Sequence, residues 1–409
     1  MQAGGTDLIR QLRRAERRSK VRAFALTLPL LTFLLVFFLV PLASLLVRAV
    51  ENPEVADALP ATGRALSGWD RLTAPPDAAY AALLQDLTAI GETDRAGALA
   101  RRLNSEMPGS RSLVMSTYRA LPLGQPAGAR QARTALIEHD ARWANPAYWH
   151  AIEKNSSRWT PDYLLTAIDL RRTAEGSIER VPDENAAFSS ILLRTFGISA
   201  LVTAIALLLG YPLAYWLSTL NERRANLMLI LVLLPFWTSV LVRIAAWIVL
   251  LQNNGLINRL LQFLGLIDTP LPLLFNRTGV IIAMVHILLP FMILPLYSVM
   301  KSVPPNYQRA AVSLGSAPLA AFFRVYLPQT YPGVAAGGLL VFITCIGYYV
   351  TPALLGGAGD QMLSYYVAQY TNVEVNWGMA CALGGVLLST TLILYTLYRK
   401  ASKAELSLG

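Results

Sequence analysis

The chain has 409 residues, of which 54% are hydrophobic and only 15% are charged. Soluble domains usually carry about 25% charged residues, so this composition excludes an ordinary soluble protein and favours a membrane protein. The net charge of +10 comes from basic residues that flank long apolar runs, and this placement argues against nucleic acid as a partner.

Six apolar runs are long enough to cross a membrane. They lie at 23–47, 195–217, 227–251, 280–300, 333–355 and 378–398. Each has roughly the 20 residues that a helix needs to cross about 30 Å of hydrocarbon. Isolated strands would leave backbone groups unpaired in lipid, so the fold is predicted to be all-α. The first run is longer than the apolar part of a cleavable signal peptide and is expected to be a retained anchor.

Fifteen lysine and arginine residues lie before the first run, after the last run and in the connections that follow the second and fourth runs. They are Arg10, Arg13, Arg14, Arg17, Arg18, Lys20, Arg22, Arg223, Arg224, Lys301, Arg309, Arg324, Arg399, Lys400 and Lys403. If the six runs alternate in direction, all of these residues lie on one side of the membrane. The positive-inside rule predicts that this side, together with both termini, is the cytoplasm.

A polar insert separates the first two runs and is predicted to lie outside the cell. The expected organisation is a basic N-terminus at 1–22, a first transmembrane helix at 23–50, the insert at 51–188, a five-helix core at 189–400 and a tail at 401–409. Apolar spacing of three and four residues predicts helices at 77–90 and 93–103. Trp143, Trp149 and Trp159 are candidates for a small core. The insert is either a structural cap or a platform that contacts a solute-binding protein or covers a pathway.

The connection between the fourth and fifth runs, which we name the elbow, spans 304–328 and reads PPNYQRAAVSLGSAPLAAFFRVYLP. Gly315 can adopt the left-handed conformation that ends a helix, and Pro318 suits the first turn of the next helix. Ser316 is expected to cap that second helix, and Pro328 is expected to stop it. The pattern therefore predicts two short helices joined by a turn, a knob that fits a groove on a partner.

The elbow resembles the EAA loop of ABC importer permeases, whose pattern is Glu-Ala-Ala, three residues, Gly, then an apolar stretch ending in Leu-Pro. The matching residues are Ala310, Ala311, Gly315, Leu327 and Pro328. The resemblance implies that the elbow, including Phe322, docks into a separate ATPase subunit. Arg309 stands where the pattern has glutamate, so the ion pair of the family does not carry over to this chain.

Other stretches resemble the spermidine/putrescine branch of these permeases, which also includes carriers of amino acids, opines and phosphonates. They are GYPLAY at 210–215, LPFWTS at 234–239 and GYYVTPALLGG at 347–357. The resemblance implies a permease of six transmembrane helices that works with two copies of an ATPase, a second permease subunit and a periplasmic solute-binding protein. ATP and Mg would bind to the ATPase and no cofactor to this chain. A phosphate-binding loop of the G-x-x-x-x-G-K-[ST] type is absent from the sequence, so the chain is not expected to hydrolyse ATP.

Several residues in or beside the spans are candidates for lining a pathway. A charge in a span is costly, so Arg243 is a candidate anchor for a carboxylate or phosphate, with snorkelling or a structural pair as the alternative. His286 has either a packing or a substrate role. Aromatic faces attract ammonium groups by about 0.5–2 kcal/mol, although such residues also serve ordinary packing. The aromatic candidates are Trp237, Trp247, Tyr348 and Tyr349. Asp360, in the last outer connection, is a candidate for drawing cations in.

These observations predict the permease subunit of an ATP-driven importer, with a polyamine as the first candidate solute. A zwitterionic amino acid, opine or aminophosphonate is the alternative, because Arg243 favours an anionic group while the aromatic residues favour an amine. A membrane-anchored assembly or sensor protein is the alternative of a different class. An intramembrane enzyme is disfavoured, because His286 has no acidic or basic catalytic partner within the predicted spans.

Overall fold

The structure is a computed structural model that describes residues 16, 17, 20, 23–71, 73–122, 128–173, 177–182, 184 and 186–406. Several of the basic residues used above lie outside the described backbone or side chains. They are Arg10, Arg13, Arg14, Arg18, Arg22, Lys400 and Lys403. In the described ranges, six helices are long and apolar enough to cross a membrane. They are Ala23–Arg48, Phe188–Thr219, Val240–Phe263, Arg277–Ser302, Pro318–Ile346 and Trp377–Arg399, the third of which has a short break after Leu251. The prediction of an all-α protein with six spans is confirmed.

The chain divides into two compact units, with the boundary between Tyr163 and Leu164. The first unit begins with α1 (Ala23–Arg48), which has a π-helical stretch at Leu35–Leu39. Shorter helices follow: α2 (Pro53–Ala56), α3 (Pro60–Ala65), α4 (Asp77–Ala89), α5 (Thr93–Glu106), α6 (Ser110–Ala120), α7 (Ala129–His139), a 3-10 turn (Ala141–Ala144) and α8 (Pro146–Lys154). The helices predicted at 77–90 and 93–103 are therefore confirmed as α4 and α5.

An aromatic core holds the short helices of the insert together. The buried rings of Trp143 and Trp149 are 5.4 Å apart between centroids, and Tyr80 lies 4.4 Å from Trp149. Each indole has a polar partner, because Trp143 Nε1 donates to Thr117 Oγ1 at 2.9 Å and Trp149 Nε1 donates to the Trp143 carbonyl at 2.9 Å. Trp159 is 58% exposed, so the prediction that it joins this core is wrong.

The entry and exit of the insert lie side by side. The N–H of Asn52 donates to the carbonyl of Arg158 at 2.7 Å, and the N–H of Thr160 donates to the carbonyl of Val50 at 2.8 Å. This pair of backbone hydrogen bonds closes residues 51–159 into a loop whose two ends meet. A segment closed in this way can be inserted into a connection without disturbing the elements on either side.

A buried polar network built on Arg102 fastens the same closure from inside. Arg102 Nε donates to Asn52 Oδ1 at 3.1 Å and Nη2 donates to Asn155 Oδ1 at 2.6 Å. Glu106 pairs with Arg102 at 3.1 Å and with Lys154 at 2.9 Å. Burial raises the pKa of Glu106, but the positive charges of Arg102 and Lys154 outweigh burial, so the pKa lies below its ordinary value.

The second unit contains the remaining spans. After α9 (Asp162–Thr166), which crosses the unit boundary, an antiparallel hairpin pairs β1 (Leu170–Arg172) with β2 (Ile178–Arg180). The helices that follow are α10 (Phe188–Thr219), α11 (Glu222–Leu233), α12 (Val240–Leu251), α13 (Leu256–Phe263), α14 (Arg277–Ser302), α15 (Asn306–Ser313), α16 (Pro318–Ala321), α17 (Leu327–Ile346), α18 (Val350–Leu355), α19 (Leu363–Asn372) and α20 (Trp377–Leu406). The hairpin was not predicted from the sequence.

Helices α10, α14 and α17 pack together through glycines that face Met292 of α14. A Cβ added at Gly337 of α17 would lie 3.0 Å from both the carbonyl oxygen and the Sδ of Met292, and one at Gly210 of α10 would lie 3.1 Å from Met292 Cγ. Small residues allow this approach, and close packing replaces the hydrophobic effect as the force that joins helices in lipid. Together these helices form the buried centre of the second unit.

The third predicted span, at 227–251, is broken in the structure. Helix α11 ends at Leu233, a 3-10 turn covers Leu234–Trp237, and α12 begins only at Val240. Pro235 lacks an N–H, so it suits the start of a tight turn and interrupts the helical ladder. Hydropathy did not predict this break, because the residues of the turn are as apolar as those of the helices on either side.

The fifth span and the connection after it also differ from prediction. The predicted run at 333–355 ends early, because the spanning helix Pro318–Ile346 is followed by a turn and the separate α18 (Val350–Leu355). The span therefore includes the second half of the elbow. The connection predicted at 356–377 contains the helix α19.

Candidate functional site

The elbow begins with α15, a short helix that ends at a glycine. The N–H of Ser316 donates to the carbonyl of Ala311 at 3.0 Å, and the N–H of Gly315 donates to the carbonyl of Val312 at 3.0 Å. Gly315 has a φ of +91°, a left-handed conformation that glycine adopts without strain. These two bonds form a Schellman motif, so the predicted helix stop at Gly315 is confirmed.

Large apolar side chains project from the elbow. Those more than one third exposed are Tyr307, Val312, Leu314, Leu319 and Phe323, which we name the elbow surface. Leu314, at 89% exposure, stands at the tip between the two short helices. Apolar groups concentrated on such a projection indicate a binding surface.

An aromatic cluster connects the elbow to the bundle. The ring of Phe322 lies 5.4 Å from Tyr215 and 6.4 Å from Tyr211, both on α10, and stacks on Tyr326 at 5.6 Å. The Tyr211 hydroxyl forms a hydrogen bond with Thr330 Oγ1 at 3.0 Å. The elbow is therefore in direct contact with α10 and attached to α17.

The helix of the elbow continues into the fifth span without a stop. A π-helical turn at Phe322–Tyr326 joins α16 to α17, and the N–H of Leu327 donates to the carbonyl of Phe322 five residues earlier. This wider turn accommodates Pro328, which has no N–H to offer. The prediction that Pro328 stops the helix is wrong. Ser316 is not the cap either, because the second helix begins after Ala317 and has no side-chain cap.

The residues predicted to couple to an ATPase fall into two groups. Arg309 and Ala310 are exposed and Gly315 forms the turn, whereas Phe322 and Leu327 are half-buried in the attachment to the bundle. The sequence analysis did not select Leu314, Leu319 and Phe323, the apolar residues of the elbow with the highest exposure. The sequence contained a signal for these residues. Bulky apolar residues flank the predicted turn, where a solvated loop would have polar residues.

Two of the predicted pathway residues form a direct pair. Trp247 of α12 donates its Nε1–H to Nδ1 of His286 on α14 at 3.1 Å, and the rings meet edge to face with centroids 5.3 Å apart. An indole can only donate, so Nδ1 must be the unprotonated nitrogen and any imidazole proton lies on Nε2. His286 thus presents a neutral donor from its other nitrogen.

Arg243 lies beside this pair. Its guanidinium carbon is 5.9 Å from the centre of the Phe236 ring. Its Nε is buried and has no hydrogen-bond partner among the described residues. The structure therefore brings together three of the predicted residues, because Arg243 and Trp247 lie one turn apart on α12 and Trp247 is bonded to His286.

Three of the other pathway candidates are exposed or paired elsewhere. Trp237 is 75% exposed and Tyr349 is 43% exposed. Asp360 Oδ1 forms an ion pair with Arg277 Nε at 3.1 Å, and Asp360 Oδ2 accepts from the N–H of Gly357 at 3.3 Å. Because its charge is already balanced by Arg277, Asp360 is a weaker attractant for cations than the sequence suggested. In the described part of the chain, no group of His, Cys, Asp and Glu could hold a metal ion.

Comparisons with known proteins match about half of the chain. The family model for the binding-protein-dependent transport system inner membrane component matches residues 206–404. The chain is 35% identical over 217 residues to the spermidine/putrescine transport system permease protein PotB of Escherichia coli, covering 53% of this chain and 78% of PotB. It is 36% identical over 216 residues to PotB of Haemophilus influenzae, covering 53% of this chain and 76% of that protein. A bacterial alginate ABC transporter of known structure matches at 17% identity and a TM-score of 0.45, covering 53% of this chain and 78% of that chain.

Proposed function

This chain belongs to the family of binding-protein-dependent transport system inner membrane components, and we propose that it is the permease subunit of an ATP-driven importer for spermidine and putrescine. The relatives that carry this name share 35–36% identity with it over 76–78% of their length. The six apolar helices and the family together make it a multi-pass protein of the inner membrane. The observation that carries the coupling mechanism is the elbow, a glycine-ended helix that exposes apolar side chains.

The proposed mechanism runs from the elbow to the spans. Two copies of a separate ATPase bind ATP and Mg, and one of them receives the elbow in a groove. Closure of the ATPases moves the elbow surface, and the cluster of Phe322, Tyr211, Tyr215 and Tyr326 transmits this movement to α10 and α17. A second permease subunit completes the pathway, and a periplasmic binding protein delivers the solute.

The proposed orientation places the elbow and both termini in the cytoplasm. Lys301 Nζ, at the end of α14, donates to the carbonyl of Leu220 at the end of α10 at 3.3 Å. The basic residues that follow each of these helices, Arg223 and Arg309 among them, thus belong to the same end of the bundle. An accumulation of positive charge at one end favours the cytoplasmic side.

A zwitterionic solute is the second candidate, and Arg243 favours it. Its buried Nε has no partner among the described residues, and a carboxylate or phosphate would satisfy it. For a polyamine the same charge would repel, and the faces of Trp247 and Tyr348 would have to supply the attraction. The two candidates therefore differ in what Arg243→Gln does: polyamine uptake would be retained or raised, whereas uptake of an amino acid, opine or aminophosphonate would fall.

Uptake in proteoliposomes tests the function. The permease pair, the ATPase and the binding protein are reconstituted together, and ATP-dependent entry of labelled putrescine and spermidine is compared with that of zwitterionic amines. Gly315→Val forces a β-branched residue to a φ of +91° in the elbow, while the matched control Gly265→Val makes the same change at a φ of +66° in the connection before α14.

We expect Gly315→Val to abolish coupled uptake while the complex still inserts, and Gly265→Val to retain most uptake. Equal uptake by both variants would exclude the elbow as the coupling element. Failure of the intact complex to move any solute with ATP would instead favour an assembly or sensor protein. Deletion of residues 51–159 is a separate test of the insert, because unchanged uptake would exclude its role as a platform.

A further inference from the structure

The elbow and its flanks carry positive charge and no negative charge. Between positions 301 and 331 the charged residues are Lys301, Arg309 and Arg324, and there is no Asp or Glu. All three side chains belong to exposed residues. Within the described part of the chain, neither Arg309 nor Arg324 forms an ion pair. These two guanidiniums are therefore available to a partner.

The arginines lie among the apolar residues of the elbow surface. Arg309 and Val312 are three positions apart on α15 and share one face of that helix. Arg324 follows Phe323 in the π-helical turn. A partner that encloses the elbow on several sides would also remove both guanidiniums from water. A desolvated guanidinium without a counter-charge is costly, so such a partner must supply one.

We propose that the ATPase groove that receives the elbow presents carboxylates to Arg309 and Arg324. This inference rests on the proposed function and specifies the chemistry of the partner. The pattern that the elbow resembles has glutamate at the position of Arg309, so the charge at that contact is inverted here. An ATPase groove that is built for the glutamate of the pattern would offer a basic group there, and that group would repel Arg309. Like charges across an interface disfavour the wrong partner, so the inverted charge would select a different ATPase.

A protein groove suits the elbow better than an anionic lipid surface does. Helices that lie on membranes have one continuous apolar face and one polar face. In α15, by contrast, all residues except Gln308 and Ala311 are exposed, so the helix projects with several faces free. Leu314, at the tip, has the highest exposed fraction of the large apolar residues of the elbow. A projecting knob is complementary to a concave site, and anionic lipid is accordingly an alternative outcome of the test.

The experiment uses the purified complex of permease and ATPase and a carboxyl-specific cross-linker. In Arg309→Lys, the new amine can be joined by a carbodiimide to a carboxylate within direct contact, and mass spectrometry identifies the residue that is joined. Arg259→Lys is the matched control, because Arg259 is an exposed arginine on α13. Retention of the ATPase is measured in parallel for Arg309→Glu, Arg324→Glu and Arg259→Glu.

The proposal predicts that Arg309→Lys is joined to an Asp or Glu of the ATPase and that Arg259→Lys is not. It also predicts that Arg309→Glu and Arg324→Glu each lower the affinity of the ATPase by about tenfold near 0.15 M salt, with a smaller loss at high salt. If Arg309→Lys gives no link while the ATPase remains bound, the acidic groove is wrong. If charge reversal instead reduces binding to vesicles that contain anionic lipid and leaves ATPase retention unchanged, the lipid alternative replaces it.

Leu314→Asp separates this inference from the function on which it rests. Loss of the ATPase in Leu314→Asp with full retention in both charge reversals would keep the elbow as the docking site and overturn the acidic groove. Full retention in all three variants would overturn the docking role as well.

Discussion

The insert and the helix bundle are stabilised in opposite ways. The insert has an aromatic core around Trp149 and a buried network in which Arg102 pairs with Glu106 at 3.1 Å. The bundle is packed through glycines, with Gly337 placed so that a Cβ would lie 3.0 Å from Met292. Burying an aromatic residue stabilises a fold in water, where apolar surface is expelled, whereas close backbone approach stabilises helices that are already in an apolar solvent. The variants below test this difference, from the largest expected effect to the smallest.

Removal of an aromatic ring from the insert has the largest expected effect. Trp149→Ala leaves a cavity at a fully buried position and should lower the free energy of unfolding by about 3–5 kcal/mol. Trp159→Ala is the control, since Trp159 is 58% exposed and its loss should cost under about 1 kcal/mol. Urea unfolding of the excised insert, followed by circular dichroism, measures both. Equal losses would mean that the aromatic core does not hold the insert.

Loss of the buried arginine follows. Arg102→Ala leaves Glu106 and two asparagines without their central donor and should destabilise the insert by about 3 kcal/mol. Arg95→Ala removes an arginine that is 73% exposed in its side chain and should change stability by less than about 0.5 kcal/mol. The same urea titration compares them. If Arg102→Ala leaves the free energy of unfolding unchanged, the closure of the insert is held by its backbone hydrogen bonds alone.

In the bundle, the sensitive residue is a small one. Gly337→Leu forces a side chain against Met292 and should destabilise the detergent-solubilised protein by about 1–3 kcal/mol. A Cβ added at Gly384 on α20 would meet no atom within 4 Å, so Gly384→Leu is expected to be close to neutral. Thermal unfolding monitored by size-exclusion chromatography distinguishes them. If the two variants melt together, close packing at Met292 is not what stabilises the bundle.

The smallest expected effect is the dependence of the insert on pH. The folded pKa of Glu106 is lowered, so the stabilisation that it supplies is fully present above the unfolded pKa, about 4.3, and is lost as pH falls through the folded value. Unfolding measured from pH 6 downward should therefore show a steeper loss in the wild-type insert than in Glu106→Gln. Parallel curves would exclude Glu106 as a source of the acid sensitivity.

The sequence predicted the features that depend on local composition. Long apolar runs predicted the six spans, and a single glycine predicted the end of α15 at Gly315. It missed features that depend on backbone adjustment within apolar sequence. The break at Pro235 and the π-helical turn before Pro328 both lie inside hydrophobic stretches, where hydropathy carries no signal.

Long-range partners were also beyond prediction. Arg277 and Asp360 are 83 positions apart, and Trp247 and His286 are 39 apart. The sequence identified three of these four residues as candidates, but it could not pair them, because pairing is decided by how α12, α14 and the last connection meet. Leu314 was not selected for the same reason, because the exposure of its side chain depends on the folded structure of the elbow.

A cross-link from the tip of the elbow tests most directly whether this chain couples to an ATPase. Leu314→Cys is placed in a chain that lacks the two native cysteines, Cys345 and Cys381, and is treated with a short bifunctional reagent in membranes that contain the whole transporter. Leu266→Cys, 66% exposed in the connection before α14, is the control. We predict that Leu314→Cys forms a link to the ATPase whose yield changes when ATP is added, and that Leu266→Cys forms none. A Leu314→Cys that reacts only from the periplasmic side and never with the ATPase would contradict the coupling role of the elbow.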